Sequence, residues 1–150
     1  MYLYLIQHGE ATSEETNPLR PLSEKGRSDV VKVTGFMKKV GITASEIWHS
    51  TKLRAKQTAE IVAETLALRI TEKEGLAPND PPAQWVDRIL KMKEDVIIVS
   101  HLPFLQKFVS HLITGSESNE VIKFRQGGMV CLERTDSRWS VIWIILPELL

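Results

Sequence analysis

Short apolar runs alternate along this chain with longer segments whose apolar residues recur every three or four positions, and no other feature limits its fold so tightly. Tyr2 to Ile6 is a short apolar run of the kind that a strand buried on both faces requires. A polar loop with Pro18 and Pro21 follows, and Ser23 then stands where a helix N-cap belongs. Val30, Val31, Val33, Phe36, Met37 and Val40 give the next segment a broad apolar face, and Gly41 closes it. Glu46 to His49 reads as a second strand. A helix from about Lys52 to Leu66 comes next, capped by Ser50 or Thr51 and facing inward through Ala55, Ala59, Val62 and Leu66. Arg69 to Thr71 reads as a third, very short strand, and Gly75 to Pro82 as a turn-rich loop. A helix near Gln84 to Lys91 precedes Asp95 to Ser100, whose Val96-Ile97-Ile98-Val99 is the strongest strand signal in the chain. Pro103 fits a first helical position, and Phe104, Leu105, Phe108, Val109, Leu112 and Ile113 recur at helical spacing up to Gly115. Val121 to Phe124, Met129 to Glu133 and Ser140 to Leu146 read as strands joined by turns.

Strands alternating with helices predict an α/β fold, a three-layer α/β/α sandwich with a mainly parallel central sheet. The chain has 150 residues, the length of one ordinary domain, and no repeat or linker-like stretch divides it. Apolar residues at 43% and charged residues at 25% exclude a disordered chain and a coiled-coil rod. Lys plus Arg and Asp plus Glu number 19 each, so the chain lacks the basic excess of a nucleic-acid-binding protein, and any phosphate handling must be local, by a few basic groups gathered in one place. The longest apolar run, Val141 to Leu146, is far too short to span a membrane. No targeting segment is visible, and a soluble cytoplasmic protein is expected.

Ligands of such sheets bind beyond the carboxyl ends of the strands. His8 follows the first strand and His101 follows the strongest one, while Arg54 opens the helix after another. A histidine at a strand end can attack phosphorus directly and become a transient phosphohistidine. The transferring group spreads negative charge over its oxygens, and the planar fork of arginine meets two of them at once. His8, His101, Arg54 and Arg20 make up such a pocket, with Gly9 allowing close backbone approach.

Other candidates take plainer roles. His49 reads as a strand-end histidine packed on Trp48, and His111 as a structural or exposed helix residue. The histidines lack metal-ligand spacing, so neither a metal nor any other cofactor is expected. Cys131 is the only cysteine, which excludes an internal disulfide. A cysteine phosphatase loop needs arginine six positions further on, where this chain has Ser137, so Cys131 reads as a buried strand thiol. Gly127-Gly128 reads as a turn.

Gln7-His8-Gly9-Glu10-Ala11 resembles the Arg-His-Gly signature of the histidine phosphatase (phosphoglycerate mutase-like) superfamily. Ser50-Thr51-Lys52-Leu53-Arg54-Ala55-Lys56-Gln57-Thr58-Ala59 is similar to that family's Ser-Pro-x-x-Arg-Ala-x-Gln-Thr-Ala segment, with Thr51 in place of proline. Ser100-His101-Leu102-Pro103 resembles its second histidine segment, and Arg20-Pro21-Leu22-Ser23 the loop that supplies a further arginine. The short length is most similar to the SixA-type phosphohistidine phosphatases. The resemblance implies a phosphoglycerate mutase-like fold and a single histidine phosphatase domain over residues 1–150. It also implies a metal-free phosphatase in which His8 is the nucleophile, Arg54 and Arg20 clamp the phosphoryl oxygens, and His101 donates to the phosphoryl group in the transition state. Gln7 occupies the place of the signature arginine among the phosphate-binding groups; it can donate a hydrogen bond but brings neither charge nor fork.

For a general acid the sequence offers Glu10, with Glu74 and Asp80 equally open. Longer family members carry that acid in an insertion absent here. A phosphohistidine leaves as an imidazole, whose conjugate acid titrates near about 6.5, and so departs without strong acid assistance. The expected substrate is therefore phosphohistidine in a protein such as a phosphorelay domain. A silent phospho-binding domain and a phosphomonoesterase for small phosphorylated molecules stand as alternatives. A mutase needs a more enclosed site than so short a chain suggests.

Overall fold

A computed structural model describes all of residues 1–150. Six strands form one sheet: β1 (Tyr2–Gln7), β2 (Glu46–His49), β3 (Ile70–Glu72), β4 (Val96–Ser100), β5 (Met129–Thr135) and β6 (Arg138–Ile145). Their spatial order is β3-β2-β4-β1-β5-β6. The β1, β4, β2 and β3 neighbours pair in parallel, whereas β5 pairs antiparallel with both β1 and β6. The sheet is thus mainly parallel, closed on one side by an antiparallel hairpin.

Strand β4 lies in the middle, and all five of its residues are buried, as its unbroken β-branched run requires. Alternation sorts the strands' side chains into two cores. Leu3, Leu5, Val96, Ile98, Val130 and Leu132 face one way. They pack on Trp85, Val86 and Ile89 of α3 (Ala83–Lys91) and on Phe104, Leu105, Phe108 and Val109 of α4 (Phe104–Thr114). Tyr4, Ile6, Ile47, Ile97, Val99 and Cys131 face the other way. They meet Val30, Val33 and Met37 of α1 (Glu24–Lys39) and Ala55, Ala59 and Val62 of α2 (Leu53–Leu66). These are the three layers expected from the pattern.

Helix α1 begins as its sequence dictates: the Ser23 side chain accepts from the Gly26 N–H, Glu24 lies in the first turn, and Lys38 and Lys39 in the last. Helix α2 departs from expectation at its start, because Lys52 is the cap residue and no side chain caps it. Pro103 likewise caps α4 from just outside it. Val121 to Phe124 is not a strand. Ile122 and Phe124 are buried against the α3–α4 core without strand pairing, so their apolar character reports packing alone. Gly127 and Gly128 form the expected turn before β5; the Gly127 N–H donates to the carbonyls of Gln7 (2.9 Å) and His8 (3.2 Å), tying the hairpin to the end of β1. No helix is long and apolar enough to cross a membrane.

Candidate active site

Three parallel strands end side by side, and the residue after each carries a polar side chain into one place. Gln7 is level with Ser100 in the β1–β4 ladder, so His8 and His101 leave the sheet together. The His8 N–H donates to the Ser100 carbonyl at 3.1 Å, and the Ser50 N–H, just past β2, donates to the Val99 carbonyl at 3.2 Å. The rings of His8 and His101 stand 4.9 Å apart, centroid to centroid, at 57°. Arg54 reaches the same point from the first turn of α2, its Nε 3.3 Å from His8 Nε2.

The hydrogen bonds of His8 fix its proton. A carbonyl can only accept, so Nδ1, 2.7 Å from the Gly9 oxygen, carries the hydrogen. Nε2 keeps its lone pair, which accepts from the Arg54 Nε–H. Thr58 holds the neighbourhood together by donating to the Arg54 carbonyl (2.8 Å) and accepting from the Gly9 N–H (3.1 Å). Gly9 has no space for a side chain, since a Cβ there would lie 2.8 Å from the Gly26 carbonyl oxygen.

Burial pushes His8 down to about 4; the Gly9 carbonyl opposes the shift, and Arg54 and Arg20 add to it. His101 is lowered to about 3, again chiefly by burial, then by His8 and the cations Arg54, Lys52 and Arg20. Arg54 too is lowered by burial and by Arg20, with Glu14 opposing, yet a guanidinium stays charged throughout the physiological range. Two uncharged imidazoles therefore lie beside a concentrated positive field, an arrangement suited to a phosphoryl anion and to nucleophilic nitrogen at neutral pH.

Beside this cluster opens a cleft of about 730 Å³ whose walls include Arg20, Lys52, Arg54, Lys56, Glu14 and Asp80. Arg20 sits in the loop between β1 and α1 at φ 49°, an uncommon left-handed conformation for a residue with a side chain, and its Nε donates to the Thr12 carbonyl at 3.1 Å. That loop is pinned to α2 by the Leu22 N–H donating to Gln57 Oε1 at 2.8 Å. Gln7 is buried at the end of β1, and its Oε1 has no partner.

The structure brings His8, His101, Arg54 and Arg20 together, but it divides the candidate acids. Glu10 does not line the cleft; its Oε1 accepts from the Ser23 hydroxyl at 2.9 Å, at the cap of α1. Glu74 is exposed and also away from the cleft. Asp80 lines it while accepting from the Ala77 N–H at 2.8 Å. Ser50, Glu14, Lys52 and Lys56 were not expected from the sequence to be site residues. Ser50 follows a strand as His8 does, so the same rule would have found it, whereas Glu14 depends on the path of a loop. Outside the site, His49 is buried and bonded to the Ser50 carbonyl at 2.9 Å, and His111 stands on α4 with Nδ1 4.0 Å from Glu117. Cys131 is buried in β5 and pushed up to about 12 by that burial, as befits an inert thiol. No group of three or more histidine, cysteine or acidic side chains gathers with the geometry of a metal site.

Residues 3–79 match the sequence pattern of the histidine phosphatase superfamily (branch 1). An uncharacterized protein of Picosynechococcus sp. is 27% identical over 146 residues, covering 92% of this chain and 88% of that protein. Among solved structures, the protein histidine phosphatase SixA complexed with tungstate superposes with a TM-score of 0.86 at 20% identity, over 98% of this chain and 97% of the other. The alpha-ribazole phosphatase from Shigella flexneri gives a TM-score of 0.78 at 16% identity, over 98% and 96% of the two chains. At these identities the structures establish a shared fold of the phosphoglycerate mutase-like kind.

Proposed function

The chain belongs to the histidine phosphatase superfamily (branch 1), and from that membership and the geometry around His8 we propose that it hydrolyses phosphohistidine in a protein through a covalent phosphohistidine of its own. One observation carries the reading: His8 has Nδ1 committed to the Gly9 carbonyl and Nε2 left as a base beside Arg54. In the first step Nε2 attacks phosphorus and the bond from phosphorus to the substrate's imidazole nitrogen breaks. The substrate ring, protonated on its other nitrogen, departs as a neutral imidazole, its leaving nitrogen keeping the electron pair. Arg54 and Arg20 hold the phosphoryl oxygens, and His101 donates to them. Water then attacks phosphorus, releasing inorganic phosphate and returning His8 to its neutral form.

The choice of leaving group rests on the carboxylates. An acid kept protonated near neutrality is ordinarily a buried one, and no Asp or Glu side chain in this protein is buried. Glu10, the candidate acid, is held by Ser23. An imidazole leaving group needs no such acid, whereas an alkoxide does. A charge-lined cleft of this size also suits a loop presented by a folded partner.

A second reading, a phospho-binding domain with little or no turnover, rests on Gln7, which brings a neutral amide where the family's signature has arginine. A phosphomonoesterase acting on small molecules is a third outcome that the same test separates. The protein is mixed with a phosphohistidine-bearing protein, an aryl phosphate and an alkyl phosphate in turn, and acid-labile phosphate on His8 is sought by mass spectrometry. Labelling by the protein donor with release of phosphate, abolished in His8→Ala, is the expected result. Labelling by small esters alone would transfer the reading to a phosphomonoesterase, and no labelling by any donor would leave the binding domain.

A further inference from the structure

The Ser50 hydroxyl lies in the floor of the site, fully buried, 2.8 Å from His101 Nε2. It has one other partner, the Lys52 backbone N–H at 3.3 Å, which can only donate. The hydroxyl hydrogen therefore needs an acceptor, and His101 Nε2 is the one its surroundings offer. An uncharged imidazole that accepts at Nε2 carries its hydrogen on Nδ1. That nitrogen is buried and has no partner in the protein. Were the tautomer reversed, Nε2 and the Lys52 amide would both donate to the serine oxygen, the hydroxyl hydrogen would have no acceptor, and Nδ1 would be a buried lone pair. A lone pair would repel a phosphoryl oxygen, whereas an N–H would bind it.

We propose that Ser50 is a positioning residue that holds His101 in its Nδ1–H tautomer, keeping an unpaired N–H ready for a phosphoryl oxygen of the substrate. The inference rests on the phosphatase reading for its consequence but not for its geometry. Burial, which keeps His101 uncharged, makes the choice of tautomer decisive, since a charged ring would donate from both nitrogens whatever Ser50 did. A catalytic imidazole set in the wrong tautomer can cost as much as about 10⁴ in turnover. Here the residual population of the right tautomer softens the loss.

The test reads the ring directly. Two-bond proton–nitrogen NMR correlation on the ligand-free protein should show His101 with a protonated Nδ1 and a bare Nε2. Ser50→Ala should move the spectrum toward the other tautomer, lower kcat about ten-fold or more, change KM little, and weaken orthovanadate binding about ten-fold. Ser50→Cys, which keeps a weaker donor, should fall between the two. A wild-type ring protonated on Nε2 overturns the inference with no substitution needed, even if Ser50→Ala does not fold. So does a fall in kcat with the His101 spectrum unchanged, which would make Ser50 merely structural. If the wild-type protein hydrolyses nothing yet shows the expected tautomer and the vanadate effect, the inference stands and the phosphatase reading fails.

Discussion

With Ser50 in the proposed role, His8 and His101 hold their hydrogens on the same ring nitrogen yet turn opposite edges to the substrate: one offers a lone pair, the other an N–H. The chain beside each ring makes the difference, a carbonyl at Gly9 and a hydroxyl at Ser50. Gln7 is where a single substitution tests the alignment of the pocket. Its side chain is buried with Oε1 unpartnered, and it binds an anion only if the amide nitrogen, and not that oxygen, faces the site. Hydrogen bonds to charged groups contribute about 1.5–3 kcal/mol against about 0.5–1.5 for neutral ones. Gln7→Arg should therefore raise turnover several-fold, or tighten orthovanadate inhibition if the gain falls in the ground state. Steady-state kinetics with an aryl phosphate read both; a folded variant with neither gain means that Gln7 does not face the phosphoryl group. The gathering of His8, His101 and Arg54 was legible in the sequence because strand ends in parallel sheets converge and α2 begins just past one of them. The fate of Glu10 was not, because the Ser23 hydroxyl that claims it lies thirteen residues away across a loop.

The element that shapes the nucleophile's loop is α1, and two of its glycines should respond in opposite ways. A Cβ at Gly26 would stand 2.1 Å from the Glu10 carbonyl oxygen, a backbone atom of the loop that follows His8. Gly26→Ala must displace that loop, so it should cost on the order of 1–3 kcal/mol of stability and lower activity further than stability alone explains. Gly35, on the same helix, has open space around it, and Gly35→Ala should stabilise by about 0.5–1 kcal/mol through backbone entropy, with activity unchanged. Urea midpoints and turnover, measured together, check both. If Gly26→Ala is as benign as Gly35→Ala, the close packing of α1 on the loop is not what positions His8. Helical periodicity located all four helices, and β-branched density located β4. The same apolar signal misled at Val121 to Phe124, since burial of Ile122 and Phe124 against the α3–α4 core leaves the same mark in sequence as burial within a sheet. The Ser50 cap failed for a related reason: its hydroxyl faces a histidine that the chain reaches only fifty-one residues later.

Acid should loosen the whole molecule through its two central imidazoles. An unfolded chain protonates histidine below about 6.5, while the folded protein holds His8 near 4 and His101 near 3. Between those limits the unfolded state binds more protons, so stability is full above about 6.5, declines as pH falls through the window, and receives no further loss from these groups below it. Urea midpoints should fall steadily from pH 7 to pH 4.5, less steeply in His8→Ala; a flat profile in the wild type would mean that the rings are not held uncharged. Catalysis should be indifferent to chelators, since no ligand cluster gathers, and should favour phosphohistidine and aryl phosphates over alkyl phosphates. Reversible loss of activity in EDTA, or preference for alkyl esters, would count against the proposed chemistry. The strand order carries one more consequence. β4 lies between β1 and β2 although it follows both in the chain, and β5, which covers the other side of β1, comes later still. A chain emerging from the ribosome thus exposes its first two strands with a vacant slot between them, and nothing made before residue 96 can fill it. Both partners of the nucleophile's strand are long-range, so the first half must wait, unzipped, for the second. Delay at that stage leaves the edges of β1 open to other chains, and the catalytic centre comes into being only once β4 and His101 have been made.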